Sequence, residues 1–168
     1  DIVFVTSQPD VDQFTTHIRS KERVIVVRGG VDTILAKNYL NSKNVILPEK
    51  RIYDACFVGR FHYQKGVLEL IKIWKAVCQK IPQAHLAMIG SGPLDKEVRS
   101  LIKKLGLLKN IYLIGFVDGP KKFEVFKQSR VVVHPATFDS GGMAAAEAMA
   151  WGLPGVSFDL EALKTYYP

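Results

Sequence analysis

Cysteine is scarce in this chain. Its 168 residues hold two, Cys56 and Cys78, and neither has a neighbour at metal-binding or redox spacing. The expectation is two buried thiols in a reducing, cytoplasmic compartment. Long apolar runs are missing, so no segment reaches the length of a membrane span, and nothing at the start resembles a signal peptide. Zinc-type clusters, RNA-binding aromatic motifs and long basic runs are also missing, which sets nucleic acid aside as a partner. There is no initiating methionine. The chain opens directly on a strand-like run, residues 1–6, and reads as a fragment of a longer polypeptide.

What is present suits one domain with a sizeable core, since 48% of the residues are hydrophobic. The net charge of +7 is concentrated, with ten Lys/Arg against three Asp/Glu in residues 60–109. A basic middle favours anionic partners, either phosphorylated ligands or a membrane surface. Six of these cations, Lys72, Lys75, Lys96, Arg99, Lys103 and Lys104, fall on two expected helices, where an ordinary solvated face is the alternative.

Strand and helix patterns alternate along most of the chain. Strands are expected at residues 24–27, 53–58, 84–89, 111–116, 131–133 and 155–158. Helices are expected at 7–18, 66–81, 94–105, 121–129 and 143–151, while residues 33–47 show no regular pattern. Such alternation argues for an α/β fold with a Rossmann-like, doubly wound parallel sheet, whose loops after the strands converge on one site.

Those loops carry the chemistry. Arg60 and Lys65 flank the loop after the strand at 53–58, and Lys65 sits at a helix start, where a cation is unfavourable unless an anion is near. Arg60 can fork onto phosphate oxygens and Lys65 can supply a mobile charge; two solvated surface cations are the alternative. Residues 139–142, Asp-Ser-Gly-Gly, lead into an apolar helix interrupted by Glu147, which breaks a pattern expected to be buried all round. A glycine loop entering a helix N-terminus offers unpaired N–H groups to phosphate, with Asp139 and Glu147 as flanking acceptors. The alternative is a helix cap at Asp139 or Ser140 and a structurally paired Glu147. His62 and His134 read as structural. Asp10-Val11-Asp12 matches a short metal-binding pattern but lies at a helix start, where acids favour the dipole.

The segment Asp139, seven residues, Glu147, then EAMAWGLPG, resembles the signature of the retaining GT-B glycosyltransferases of family 4, the group 1 glycosyl transferases. Asp139 stands where that family usually carries Glu. Gly59-Arg60…Lys65-Gly66 resembles the family's Gly-Arg…Lys-Gly motif, Gly90-Ser91-Gly92-Pro93 its Gly-x-Gly-Pro turn, and Gly30-Val31-Asp32 its post-hinge turn. The resemblance implies the C-terminal half of a GT-B fold. Residues 1–27 would be the tail of the N-terminal domain with the hinge, and 28–168 a nucleotide-sugar-binding domain truncated at its end. It implies Arg60, Lys65, Asp139 and Glu147 as catalytic residues, with donor contacts from Gly59, Gly90, Val117, Ser140, Gly141, Gly142 and Met143. The implied substrate is a nucleoside diphosphate sugar and the acceptor a glycan or lipid-linked glycan, with no cofactor and no metal. A peripheral place on a membrane is compatible with that acceptor. A sugar-nucleotide epimerase of the same fold and a catalytically silent binding subunit are the competing readings.

Overall fold

The computed structural model describes residues 2–15 and 21–164. In chain order the elements are β1 (Val3–Val5), α1 (Gln8–Thr15), β2 (Val24–Val26), α2 (Ile34–Leu40), β3 (Tyr53–Val58), α3 (Val67–Lys80) and β4 (Leu86–Ile89). They continue with α4 (Asp95–Lys104), β5 (Ile111–Gly115), α5 (Pro120–Lys127), β6 (Ser129–His134), α6 (Met143–Ala150), β7 (Gly155–Ser157) and α7 (Glu161–Lys164). β1 and β2 pair in parallel as a separate two-stranded sheet. The other five strands form one parallel sheet in the order β5-β4-β3-β6-β7.

β4 and the middle of β3 are buried on both faces, so they are apolar without alternation, whereas β7 at the edge is exposed. All four residues of β4 are buried. Ala55, Phe57, Leu86 and Met88 pack with Leu70, Trp74 and Ile102 of α3 and α4, whereas Cys56, Ala87 and Ile89 pack on the other face with Phe126, Ala148 and Trp151. The order also dictates where a ligand can sit. From β3 the chain winds outward through β4 to β5, then returns across the sheet to β6 on the opposite side of β3. The strand order therefore reverses between β3 and β6, and the crevice at their carboxyl ends is the switch point at which doubly wound sheets bind ligands. The loops that open there are residues 59–66 and 135–142.

The alternation read from sequence agrees with the elements to within a few residues, and three expectations change: those for residues 33–47, for α6 and for Cys78. Residues 33–47 contain α2, whose Ile34 and Leu35 are exposed and whose one buried residue is Ala36, so it carries no amphipathic period. The helix expected at 7–18 is described to Thr15; residues 16–18 lie outside the described residues, as do Asp1 and residues 165–168. α6 is not buried all round: Ala145 and Ala148 are buried while Met149 is exposed, because only one side of the helix packs on the sheet. Cys56 is fully buried, and burial pushes its thiol up to about 12. Cys78, by contrast, is only partly buried.

Candidate functional site

The loop after β3 is shaped by backbone approach. Residues 63–65 form a single 3-10 turn, capped by His62, whose Nδ1 accepts from the Gln64 N–H at 3.4 Å. Gly66 then takes φ 62°, and a Cβ there would lie 1.8 Å from the Pro135 carbonyl oxygen. Only glycine lets the start of α3 rest against the end of β6. The Thr137 N–H donates to Gln64 O at 2.9 Å and ties the two loops together. Gly90, at φ 138°, similarly admits Gly59 O within 1.9 Å of where a Cβ would stand.

Lys65 Nζ thereby meets Asp139 Oδ2 in a short ion pair. The other oxygen of Asp139 accepts from the N–H groups of Gly141 at 3.1 Å and Gly142 at 2.9 Å. His134 Nε2 lies 3.1 Å from Oδ2. Burial alone would raise the Asp139 carboxyl. His134, Lys65 and the two glycine N–H groups more than offset it and hold the acid far below the ordinary carboxylate range. The expectation that Asp139 stands open to a ligand is corrected here. Its carboxylate already occupies the loop amides and the cation that were read as a phosphate seat. The residue capping α6 is Gly142, and Asp139 binds the two amides just ahead of the helix rather than those of its first turn. His134, read as structural, belongs to the same cluster. Gly59, Lys65, Asp139, Ser140, Gly141 and Met143 line a cavity of about 280 Å³, which Thr6 and Gly29 also reach.

A second cavity, about 620 Å³, adjoins the first along Val58, Gly59 and Ala144. Arg60, Gly90, Val117 and Glu147 line it. Arg60 and Lys65 therefore face different cavities, and so do Glu147 and Asp139. The sequence placed Arg60 and Lys65 on one diphosphate and let Asp139 and Glu147 flank one ligand; in the structure each pair is distributed along a longer crevice. Glu147 is paired, its Oε2 lying 2.7 Å from Lys122 Nζ, which also stands 2.7 Å from Asp118 Oδ1. Burial lowers the Lys122 ammonium, and the two carboxylates more than offset this and raise it. Sequence reasoning missed Lys122. The signal was there, because Lys122 is a cation in the first turn of a helix, the same anomaly that drew attention to Lys65. Asp10 lies in the first turn of α1 and reaches back to the residue before the helix: its Oδ2 accepts from Ser7 N at 3.1 Å and Ser7 Oγ at 2.7 Å. Among the described residues no cluster of three or more His, Cys, Asp or Glu could hold a metal.

Residues 37–166 match the family model described as Glycosyl transferases group 1. The chain belongs to this family. Among similar proteins, an uncharacterised glycosyltransferase of Methanocaldococcus jannaschii is 30% identical over 163 residues, which cover 95% of this chain and 40% of that protein. Among solved structures, a TarM variant of S. aureus in complex with fondaparinux, α-GlcNAc-glycerol and UDP superposes with a TM-score of 0.78 at 19% identity. That match covers 95% of this chain and 30% of the other. The C-terminal domain of a group 1 family protein (LpcC) of Francisella tularensis superposes with a TM-score of 0.60 at 25% identity, covering 76% of this chain and 70% of that one. The five-stranded parallel sheet is thus that of GT-B glycosyltransferases, and the chain spans less than half the length of the M. jannaschii relative.

Proposed function

We propose that the chain is the donor-binding, C-terminal domain of a retaining family 4 glycosyltransferase, which moves a sugar from a nucleoside diphosphate sugar to a glycan or lipid-linked glycan. The observation that carries this reading is the pair of cavities meeting at Gly59 over the β3/β6 switch point. The smaller cavity presents Lys65 and Asp139 and the larger one Arg60, Lys122, Asp118 and Glu147, a spread of cations and carboxylates that suits a long ligand with a diphosphate in its middle. The nucleoside would lie in the larger cavity, with Glu147 accepting from ribose hydroxyls, and the sugar in the smaller one beside Asp139. Arg60 and Lys65 approach the join from either side. The first-turn N–H groups of α6 have no intrahelical acceptor and point their dipole the same way.

The chemical demand is to stabilise a departing diphosphate while positive charge builds on the sugar ring. Arg60, Lys65 and the α6 N-terminus meet it without a metal. When Lys65 exchanges Asp139 for a phosphate oxygen, Oδ2 becomes free to accept from a sugar hydroxyl. No side chain in the crevice is placed as a covalent nucleophile, so front-face displacement assisted by the leaving phosphate is the step these residues fit. The basic outer face of α3 and α4 would rest on anionic lipid, beside a lipid-linked acceptor. A second reading, a catalytically silent binding domain, draws on the internal engagement of Asp139. Sugar transfer by the full-length polypeptide separates the two.

The test of the donor site is calorimetric, using UDP because the S. aureus structure contains it. Arg60→Ala and Lys65→Ala should each weaken UDP binding by about 1.5–3 kcal/mol, the range of a charged hydrogen bond, and leave uridine binding unchanged. Equal losses for UDP and uridine would show that both residues act through the fold.

A further inference from the structure

Lys122 is placed against the preference of its own helix. α5 begins at Pro120 and has no acid in its first turn, so an ammonium there faces the positive end of the helix dipole. Its side chain is only 13% exposed, yet it holds two carboxylates from two different connections: Asp118 on the loop after β5 and Glu147 on α6. All three line the larger cavity. Lys122 takes Oε2 of Glu147, and among the described residues Oε1 has no hydrogen-bond partner. A carboxylate with one oxygen pinned and the other open presents a single oriented acceptor, whereas an unpinned one rotates and loses rotamer freedom on binding.

We infer that Lys122 is a positioning residue for Glu147, and that through Glu147 it determines how well the site distinguishes a ribose diol from a sugar lacking it. The inference rests on the donor-site reading above. Asp118, at the rim, holds Lys122 in turn, so discrimination depends on a relay of three charged groups carried by the loop after β5, α5 and α6. A merely structural pin between α5 and α6 would be the same ion pair with no effect on ligand selectivity.

The experiment measures the affinity of the full-length protein for UDP, GDP and ADP, and for the 2′,3′-dideoxy counterpart of whichever binds best. Wild type should prefer the ribonucleotide. Lys122→Met should lower ribonucleotide affinity about tenfold, roughly one charged hydrogen bond, and leave the dideoxy nucleotide within about twofold. Lys122→Arg should restore the preference. In a Glu147→Gln background, Lys122→Met should change the preference no further, since the two residues act as one unit; this comparison also serves if the single Met variant folds poorly. Equal losses for both nucleotides, or an unchanged preference in Lys122→Met, overturn the inference while the donor site stands. A wild type that binds both equally removes the role of Glu147 and this inference with it. Failure of all three diphosphates to bind overturns the donor-site reading itself.

Discussion

At the scale of the residue, Asp139 determines the state of the crevice. Its side chain is 9% exposed and satisfied by Lys65 and the amides of Gly141 and Gly142. Because its folded acid is held below its unfolded value, the unfolded chain binds the proton more readily. The resulting stabilisation is complete above the ordinary carboxylate range, near pH 4, and is lost as pH falls toward the folded value. Asp139→Asn should be destabilised at neutral pH by about 1.5–3 kcal/mol, and the gap should narrow in acid melts below about pH 4. A constant gap across that range would show that the charge is irrelevant. The sequence revealed that Asp139 was either a cap or a site residue. It could not reveal the partner, because Lys65 lies 74 positions away and meets Asp139 only through the β3–β6 pairing. Lys122 was legible by the dipole rule, but its partner on α6 was not.

At the scale of the element, the loops at the switch point are held by contact between backbones. Gly66→Ala would combine left-handed strain with overlap against the Pro135 carbonyl, and the expected loss is at least about 2 kcal/mol. For a chain of this size that lowers the melting temperature by about 4–8 °C. Gly30→Ala is the control, since nothing lies within 4 Å of its added Cβ and melting should not change. Matching melts for the two variants would mean that the loop yields readily. Strands and helices were readable because a parallel sheet needs unbroken apolar runs and its helices need a buried stripe. α2 was not readable, as it buries too little to carry a period. The partial exposure of α6 escaped for the opposite reason, since alanines give the same pattern whether covered or open.

At the scale of the whole molecule, charge is segregated. Lys122, Lys127 and Arg130 have carboxylate partners, whereas Lys72, Lys75, Lys96, Arg99, Lys103 and Lys104 form no ion pair among the described residues. Lys72, Lys96 and Lys104 flank Leu68 and Leu101 along a groove of about 510 Å³. Unpaired ammonium groups beside apolar side chains suit an anionic lipid surface, at about 1 kcal/mol per cation. Co-sedimentation with phosphatidylserine vesicles should fall as salt rises, and the triple change of Lys72, Lys96 and Lys104 to Glu should abolish it. Equal binding to neutral vesicles would sink the idea. Sequence composition showed the basic middle, but only the packing of α3 on α4 brings Lys72, Lys96 and Lys104 to one groove, and the order of the strands was fixed by pairings as distant as Tyr53 with Ser129.

The ion pair between Lys65 and Asp139 has a further consequence. A carboxylate tethered beside a cation acts as a competitor at a fixed, high effective concentration, so any phosphate arriving at Lys65 binds by exchange. Affinity there is the difference between two anions, and a lone phosphate making one contact gains little from the trade. A molecule that also fills the neighbouring cavity recovers the difference elsewhere. On the donor-site reading proposed above, the competitor would act as a filter for length. Since the same carboxylate stabilises the folded chain, a tighter grip on phosphate and a higher melting temperature pull against each other at one side chain.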